Sequence, residues 1–145
     1  WLKELAAKLD NEEARLAALA ERAFLRKLDG SCRTPIAAHF RLTPEGAEMA
    51  GELLADDGSR RWRAEGLIEG RPSAFDAEVL GSVLGEDVAA ERAYREDIKA
   101  HPHNGWALLG LQQALKAQGK MDPAVDDDLA KSWARSDTWI KASRF

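Results

Sequence analysis

Hydrophobic and polar positions change their period along the chain, and each change predicts a change of element. Leu2, Leu5 and Leu9 fall on one stripe of a short amphipathic helix. Asp10 followed three residues later by Glu13 predicts a capping box, in which each side chain accepts a bond from a free amide at the start of the next helix. That helix is expected over about 11–28, with Leu16, Leu19, Ala20, Ala23 and Phe24 facing inward. Asp29-Gly30 should end it, glycine taking the left-handed conformation that closes a helix. After Pro35 the period drops to two: Ile36, Ala38, Phe40 and Leu42 share one face, and Ala37, His39 and Arg41 the other. Thr43-Pro44-Glu45-Gly46 supplies a turn into a second alternating run, Ala47, Met49, Gly51, Leu53 and Ala55. Asp56-Asp57-Gly58-Ser59 turns into a third, where Trp62, Ala64, Gly66 and Ile68 alternate with Arg61, Arg63, Glu65 and Leu67. The apolar side of such a sheet needs a cover. The helix over 11–28 that leads into the cysteine loop and a further helix over 73–85 supply it.

Beyond residue 86 no alternation remains. The pattern predicts a helix over 90–100, a break at His101-Pro102-His103-Asn104-Gly105 and a second helix over 106–118 that carries Leu108, Leu109, Leu111 and Leu115 and ends at Gly119. Pro123 suits the first turn of a third, whose stripe is Val125, Leu129, Trp133, Ser136 and Ile140. The fold class expected is therefore α+β: a three-stranded antiparallel sheet covered on one face by helices, followed by an all-α helical-hairpin tail, with domains over 1–88 and 89–145.

Composition narrows the partners. The chain has 145 residues, 45% hydrophobic and 32% charged, enough for one compact domain or two small ones. A formal charge of -4 and a pI near 5.4 argue against nucleic acid as a partner, because phosphates select a basic face. No apolar run reaches membrane-spanning length, so no membrane partner is expected. One cysteine cannot form an internal disulfide, which makes a cytoplasmic setting the default.

Cys32 lies in the run Ala20-Glu21-Arg22-Ala23-Phe24-Leu25-Arg26-Lys27-Leu28-Asp29-Gly30-Ser31-Cys32-Arg33-Thr34-Pro35-Ile36. Taken alone, it reads as an inert small hydrophobe rather than a nucleophile, and because Asp29-Gly30 closes the helix before it and Pro35 keeps it out of the strand after it, it is expected to be at least partly exposed on a loop. The ordered combination of helix end, Gly-Ser-Cys loop, proline and alternating strand, continuing through Asp57-Gly58 and Leu80-Gly81, resembles the third, C-terminal domain of porphobilinogen deaminase (hydroxymethylbilane synthase), a transferase of tetrapyrrole biosynthesis. The resemblance covers roughly the first ninety residues. It implies that Cys32 carries, through a thioether, the dipyrromethane primer on which a tetrapyrrole is built. It also offers Arg33 as a contact for the primer's acid groups; from the residues alone, Arg33 is a solvated loop charge. Arg26, Lys27 and Arg33 would offset the partial negative charge of the helix end, which disfavours a thiolate. The family's catalytic aspartate and most of its substrate-binding arginines lie in the first two domains, which have no counterpart here. No catalytic residue is assigned, the missing deaminase domains are the expected partner, and Cys32 is expected as a free thiol when the chain is alone.

In the tail, Tyr94-Arg95-Glu96-Asp97, Pro102, Asn104-Gly105-Trp106-Ala107-Leu108-Leu109-Gly110-Leu111, Gln118-Gly119-Lys120 and Ser132-Trp133-Ala134-Arg135 resemble the C-terminal end of bacterial tetratricopeptide-repeat proteins. The resemblance gives Trp106, Leu109, Gly110, Gly119 and Ala124 the packing and turn positions of one repeat, though Trp106 to Gly119 is two residues longer than the general spacing. It implies an interaction module that binds a protein or peptide around Trp106 and Trp139. Because arrays usually need about three units, a single repeat is expected to lean on the first domain. Ala-Glu-Arg-Ala recurs at 20–23 and 90–93, and the chain starts at Trp1 rather than Met. Both suggest a fragment, or a recombined or designed chimera without activity.

Other side chains resemble sites only superficially. His39 belongs to the polar face of the first strand. His101 and His103 bracket a proline with no third ligand at metal spacing, and Asp126-Asp127-Asp128 lacks the alternation and glycine turn of a calcium loop. These read as a loop and a solvated helix face, and no metal is assigned.

Overall fold

The computed structural model describes residues 1, 10–30, 34–136 and 141, so the helix expected over 1–9, apart from Trp1, and Cys32, Arg33, Trp139 and Ile140, lie outside the described residues. The elements are α1 (Glu12–Lys27), β1 (Ile36–Thr43), β2 (Gly46–Leu54), β3 (Arg61–Glu69), α2 (Ala74–Ala100), α3 (Gly105–Ala117) and α4 (Pro123–Trp133). They fall into two compact units, Trp1–Glu86 and Asp87–Phe145.

In the first unit the strands form an antiparallel sheet in the order β1-β2-β3, with Phe40 opposite Met49 and Gly51 opposite Ala64. Alternation places Phe40, Ala47, Met49, Leu53, Trp62 and Ala64 on the buried face, as their spacing predicts. Leu16, Ala20, Ala23 and Phe24 of α1 and Ala77 and Leu84 of α2 complete the core. The Phe24 ring occupies the space that a side chain at Gly51 would need, which sets α1 over β2. A Cβ at Gly66 would come within 2.7 Å of Leu80 Cδ1, which sets α2 over β3.

Three local expectations are corrected. Asn11, not Asp10, caps α1: its side chain accepts from the Ala14 amide at 2.9 Å, whereas Asp10 pairs with Arg15 at 3.9 Å. At the other end Asp29 adopts the left-handed conformation (φ 48°) that the sequence assigns to Gly30. Asp29 N–H donates to Arg26 O at 3.4 Å and Gly30 N–H to Leu25 O at 3.3 Å, the paired bonds of a Schellman closure. Gly30 is small for another reason, since a Cβ there would come within 2.5 Å of Ile36 Cδ1. Finally, the helices expected over 73–85 and 90–100 are one continuous α2. Gly85 does not break it. A Cβ there would lie 2.9 Å from Phe24 O and 2.7 Å from Lys27 Cβ, so this glycine, like Gly81 against Ala20 O, lets α1 and α2 approach closely.

The hairpin turns follow the predicted chemistry. Thr43 Oγ1 accepts from the Gly46 amide at 3.1 Å. Gly58 takes φ 69°, and Asp57 accepts from the hydroxyl and amide of Ser59, bonds that hold its carboxyl below the usual range.

The second unit packs α3 and α4 with the later turns of α2. Leu108, Leu111, Leu115 and Val125 form its core, with Tyr94, Ile98 and Leu129 packed against it. The Tyr94 ring sits where a side chain at Gly110 would be. Asn104 caps α3 by accepting from the Trp106 amide at 3.1 Å, and Asp122 caps α4 ahead of Pro123. Gly119, at φ 67°, follows α3 in a second Schellman closure: Gly119 N–H donates to Lys116 O at 3.0 Å and Lys120 N–H to Leu115 O at 2.8 Å. The regular helix α4 stops at Trp133, so Ser136 lies past the helix on which its stripe was expected.

A buried ionic cluster ties this unit together. The Glu91 side chain is 7% exposed and accepts from Arg95 Nε at 3.0 Å, Lys120 Nζ at 3.0 Å and Gln118 Nε2 at 3.2 Å. Burial pushes the Glu91 carboxyl up, but the bonds from Lys120 and Arg95 outweigh it and leave the group below the usual carboxylate range.

Candidate functional site

The α1–β1 connection is the candidate site. Its first stem is the Schellman-closed end of α1, with Leu28 buried beneath it. Its second is Thr34-Pro35, held where Ile36 N–H donates to Thr34 O at 2.9 Å and Leu54 N–H to Pro35 O at 3.0 Å. Cys32 and Arg33 lie between these stems in sequence, outside the described residues.

Beside the first stem is a shallow hollow of about 470 Å³ lined by Arg22, Leu25, Arg26, Asp29 and Gly30. Arg26 bonds Glu78 of α2 at 2.6 Å, while Arg22 makes no ion pair among the described residues. Lys27 pairs with Glu86. Sequence reasoning passed over Arg22. The available signal was its place four residues before Arg26, on the same helical face. Glu21 was also passed over: its Oε1 accepts from the Phe40 amide at 3.0 Å, joining α1 to the outer edge of β1.

The remaining sequence candidates are dispersed. His39 is exposed on the open face of the sheet, in a trough of about 480 Å³ shared with Arg41, Glu48, Arg63 and Glu65. The charges there are matched across strands, Arg41 with Glu48 at 2.6 Å and Arg63 with Glu52 at 3.3 Å, as on a solvated sheet face. His101 pairs with Asp97 at 3.1 Å, Asp126 accepts from Gln112 at 2.6 Å, and Asp127 and Asp128 both face Lys131. Among the described residues no three His, Cys, Asp or Glu side chains converge as a metal set. Nor is any described helix long and apolar enough to cross a membrane.

A three-stranded antiparallel sheet under two helices, with a cysteine loop joining the first helix to the first strand, defines an open-faced α+β domain. The porphobilinogen deaminase C-terminal domain model matches residues 15–93, more than half of the chain and across the whole loop, and the chain belongs to that family. It is 37% identical over 83 residues to the porphobilinogen deaminase of Pelotomaculum thermopropionicum, covering 57% of this chain and 25% of that protein. Its identity to the enzyme of Paracoccus denitrificans is 39% over 84 residues (58% and 26%), and to that of a Caulobacter species 44% over 78 residues (52% and 24%). The chain therefore spans about a quarter of the length of the curated relatives it matches.

Proposed function

We propose that the first unit is the cofactor-attachment domain of a porphobilinogen deaminase in tetrapyrrole biosynthesis, with Cys32 as the thioether anchor of a dipyrromethane. The observation that carries this reading is the family match, whose span of residues 15–93 includes the loop that holds Cys32. The surroundings of the loop suit such a group, because a pyrrole chain bearing carboxylates needs cations nearby, and Arg22 and Arg26 line the adjacent hollow. Arg33 adds a third positive charge in sequence. When bound, the dipyrromethane supplies the pyrrole end from which a tetrapyrrole grows. The chain's own part is to hold it: α1 and β1 fix the two ends of the loop, and Arg22, with no ion pair among the described residues, is a cation toward the end of α1, whereas Arg26 and Lys27 are matched by Glu78 and Glu86. Because the chain spans a quarter of its relatives, the proposed partner is the rest of a deaminase, met in the cytoplasm.

Intact mass tests this directly. The chain alone, incubated with porphobilinogen, should keep a free thiol and yield no hydroxymethylbilane. With the first two domains of a relative supplied as a separate polypeptide, the same chain should gain the two-ring mass, and Cys32→Ser should not. An adduct that persists in Cys32→Ser would overturn the assignment.

A second reading concerns residues 94–145, which lie beyond the family match. Trp106 is 48% exposed and meets Trp133 edge-on at 6.0 Å, an apolar surface on a helical hairpin. That surface favours a tetratricopeptide-type module that binds an extended peptide. Peptide-array binding lost in Trp106→Ala at unchanged helicity would support it, and binding indifferent to Trp106 would sink it.

A further inference from the structure

We propose that the first unit associates with a second copy of this chain along the outer edge of β3, so that the two sheets run on as one about a two-fold axis. Among the described residues the order β1-β2-β3 gives β3 a neighbouring strand on one side only. Gly70 N–H donates to Glu45 O at 2.8 Å, so the even-numbered residues of β3 turn their amides toward β2 and the odd-numbered ones turn theirs outward. No described element bonds the amides of Glu65 or Leu67. A strand of nine residues with such a row of outward amides is a template for pairing with another strand.

The charges along that row choose the occupant. The odd-numbered side chains of β3 lie on the open face and read Arg61, Arg63, Glu65, Leu67 and Glu69. An antiparallel second copy centred on Ala64 sets Arg63 of each copy opposite Glu65 of the other, which matches opposite charges twice across the axis. Centring on Arg63 or on Glu65 puts like charges face to face. Centring on Gly66 sets Glu65 against Leu67 and carries the partner position of Arg61 past the end of the strand at Glu69. The strand is thus complementary in charge to its own reverse.

The helix above the same edge supplies a second, independent observation. Leu80 of α2 stands over Gly66 of β3, while Gly81 faces Ala20 of α1. Val79 and Val83 each stand two residues from Gly81, about 200° round the helix, so they look away from α1 and toward the outer side of β3. Phe75 continues the row one turn earlier. It is 73% exposed, and Val79 and Val83 are exposed as well. Three large apolar side chains in line on a helix are surface of the kind that association covers. A two-fold axis beside β3 brings α2 of the second copy alongside in the opposite direction, and each stripe then covers its counterpart.

Sedimentation velocity of the full chain under reducing conditions, across a dilution series, tests this. A species of twice the 16.0 kDa chain mass should appear and fade with dilution. Glu65→Arg places like charges opposite at both pairs and should raise the dissociation constant by about tenfold or more. Arg63→Glu should do the same. The double exchange Arg63→Glu with Glu65→Arg restores both pairs and should return the constant to near the parent value. Val83→Lys, at an exposed position, should weaken the dimer at an unchanged urea midpoint of the monomer. Amide hydrogen exchange of the parent chain locates the contact, with Glu65 and Leu67 better protected at high concentration than at low. The proposal is overturned by a chain that is monomeric throughout the series, by a double exchange no tighter than the single variants, or by protection that rises around Trp106 and not at Glu65 and Leu67. Protection at Glu65 that appears only when the first two domains of a relative are added would give the edge to those domains and overturn it too. Cys32 enters none of these measurements, so the proposal and the attachment reading fail separately.

Discussion

Phe24→Ala should cost the first unit about 3–5 kcal/mol, the range for truncating a fully buried aromatic side chain. Phe24 is 0% exposed and its ring fills the space above Gly51 that a side chain there would occupy. Removing the ring leaves a void between α1 and β2 above Gly51, and domains of this size have only about 5–15 kcal/mol in total. Gly51→Val alone should also destabilise, because its side chain would meet the ring. In the Phe24→Ala background the same change should recover part of the loss by refilling the void. Urea unfolding followed through the methyl signals of Leu16 and Leu53 measures all three variants. Additive losses in the double variant would show that the two residues do not share one space.

The second large effect belongs to the other unit and depends on pH. The Glu91 carboxyl is held below its ordinary range, so the unfolded chain binds its proton at a higher pH than the folded chain does. The stability contributed by the cluster is therefore fully present above the ordinary glutamate pKa and is lost as the pH falls through the lowered folded value. Glu91→Gln should destabilise the unit at pH 7 by about 1.5–3 kcal/mol, the range for hydrogen bonds to charged groups. The difference from the parent should shrink once the pH is below about 4, the ordinary glutamate range. The methyl signals of Leu108 and Leu111, followed through urea unfolding across the pH range, report it. A gap that stays constant down to acid pH would remove Glu91 from the acid response.

The strands were legible because alternation is a local signal: Ile36 to Leu42 and Trp62 to Ile68 state their own faces. The α-helical tail was legible for the same reason, apart from the extra turn expected after Trp133. The α1 cap was misplaced by one residue, Asn11 in place of Asp10, but other errors involve residues whose role is set by a neighbour elsewhere in the chain. Gly85 looks like a helix stop, yet it is small because Phe24 O and Lys27 Cβ lie against it. Gly30 looks like the left-handed residue, yet Ile36 demands its smallness while Asp29 takes the turn. Glu21 gave no signal, since its partner is a backbone amide 19 residues away. Of the site, the sequence identified the loop, and the hollow lined by Arg22 and Arg26 emerged only once the end of α1 was placed in three dimensions.

A sheet of three strands has two outer strands, and an outer strand left uncovered is where a foreign strand adds itself and aggregation begins. On β1 that approach meets an amide already engaged by Glu21 and a carboxylate standing in the path of the incoming backbone. The bond that holds helix to strand thus also guards the margin against strand-to-strand association, and its loss would be felt in solubility.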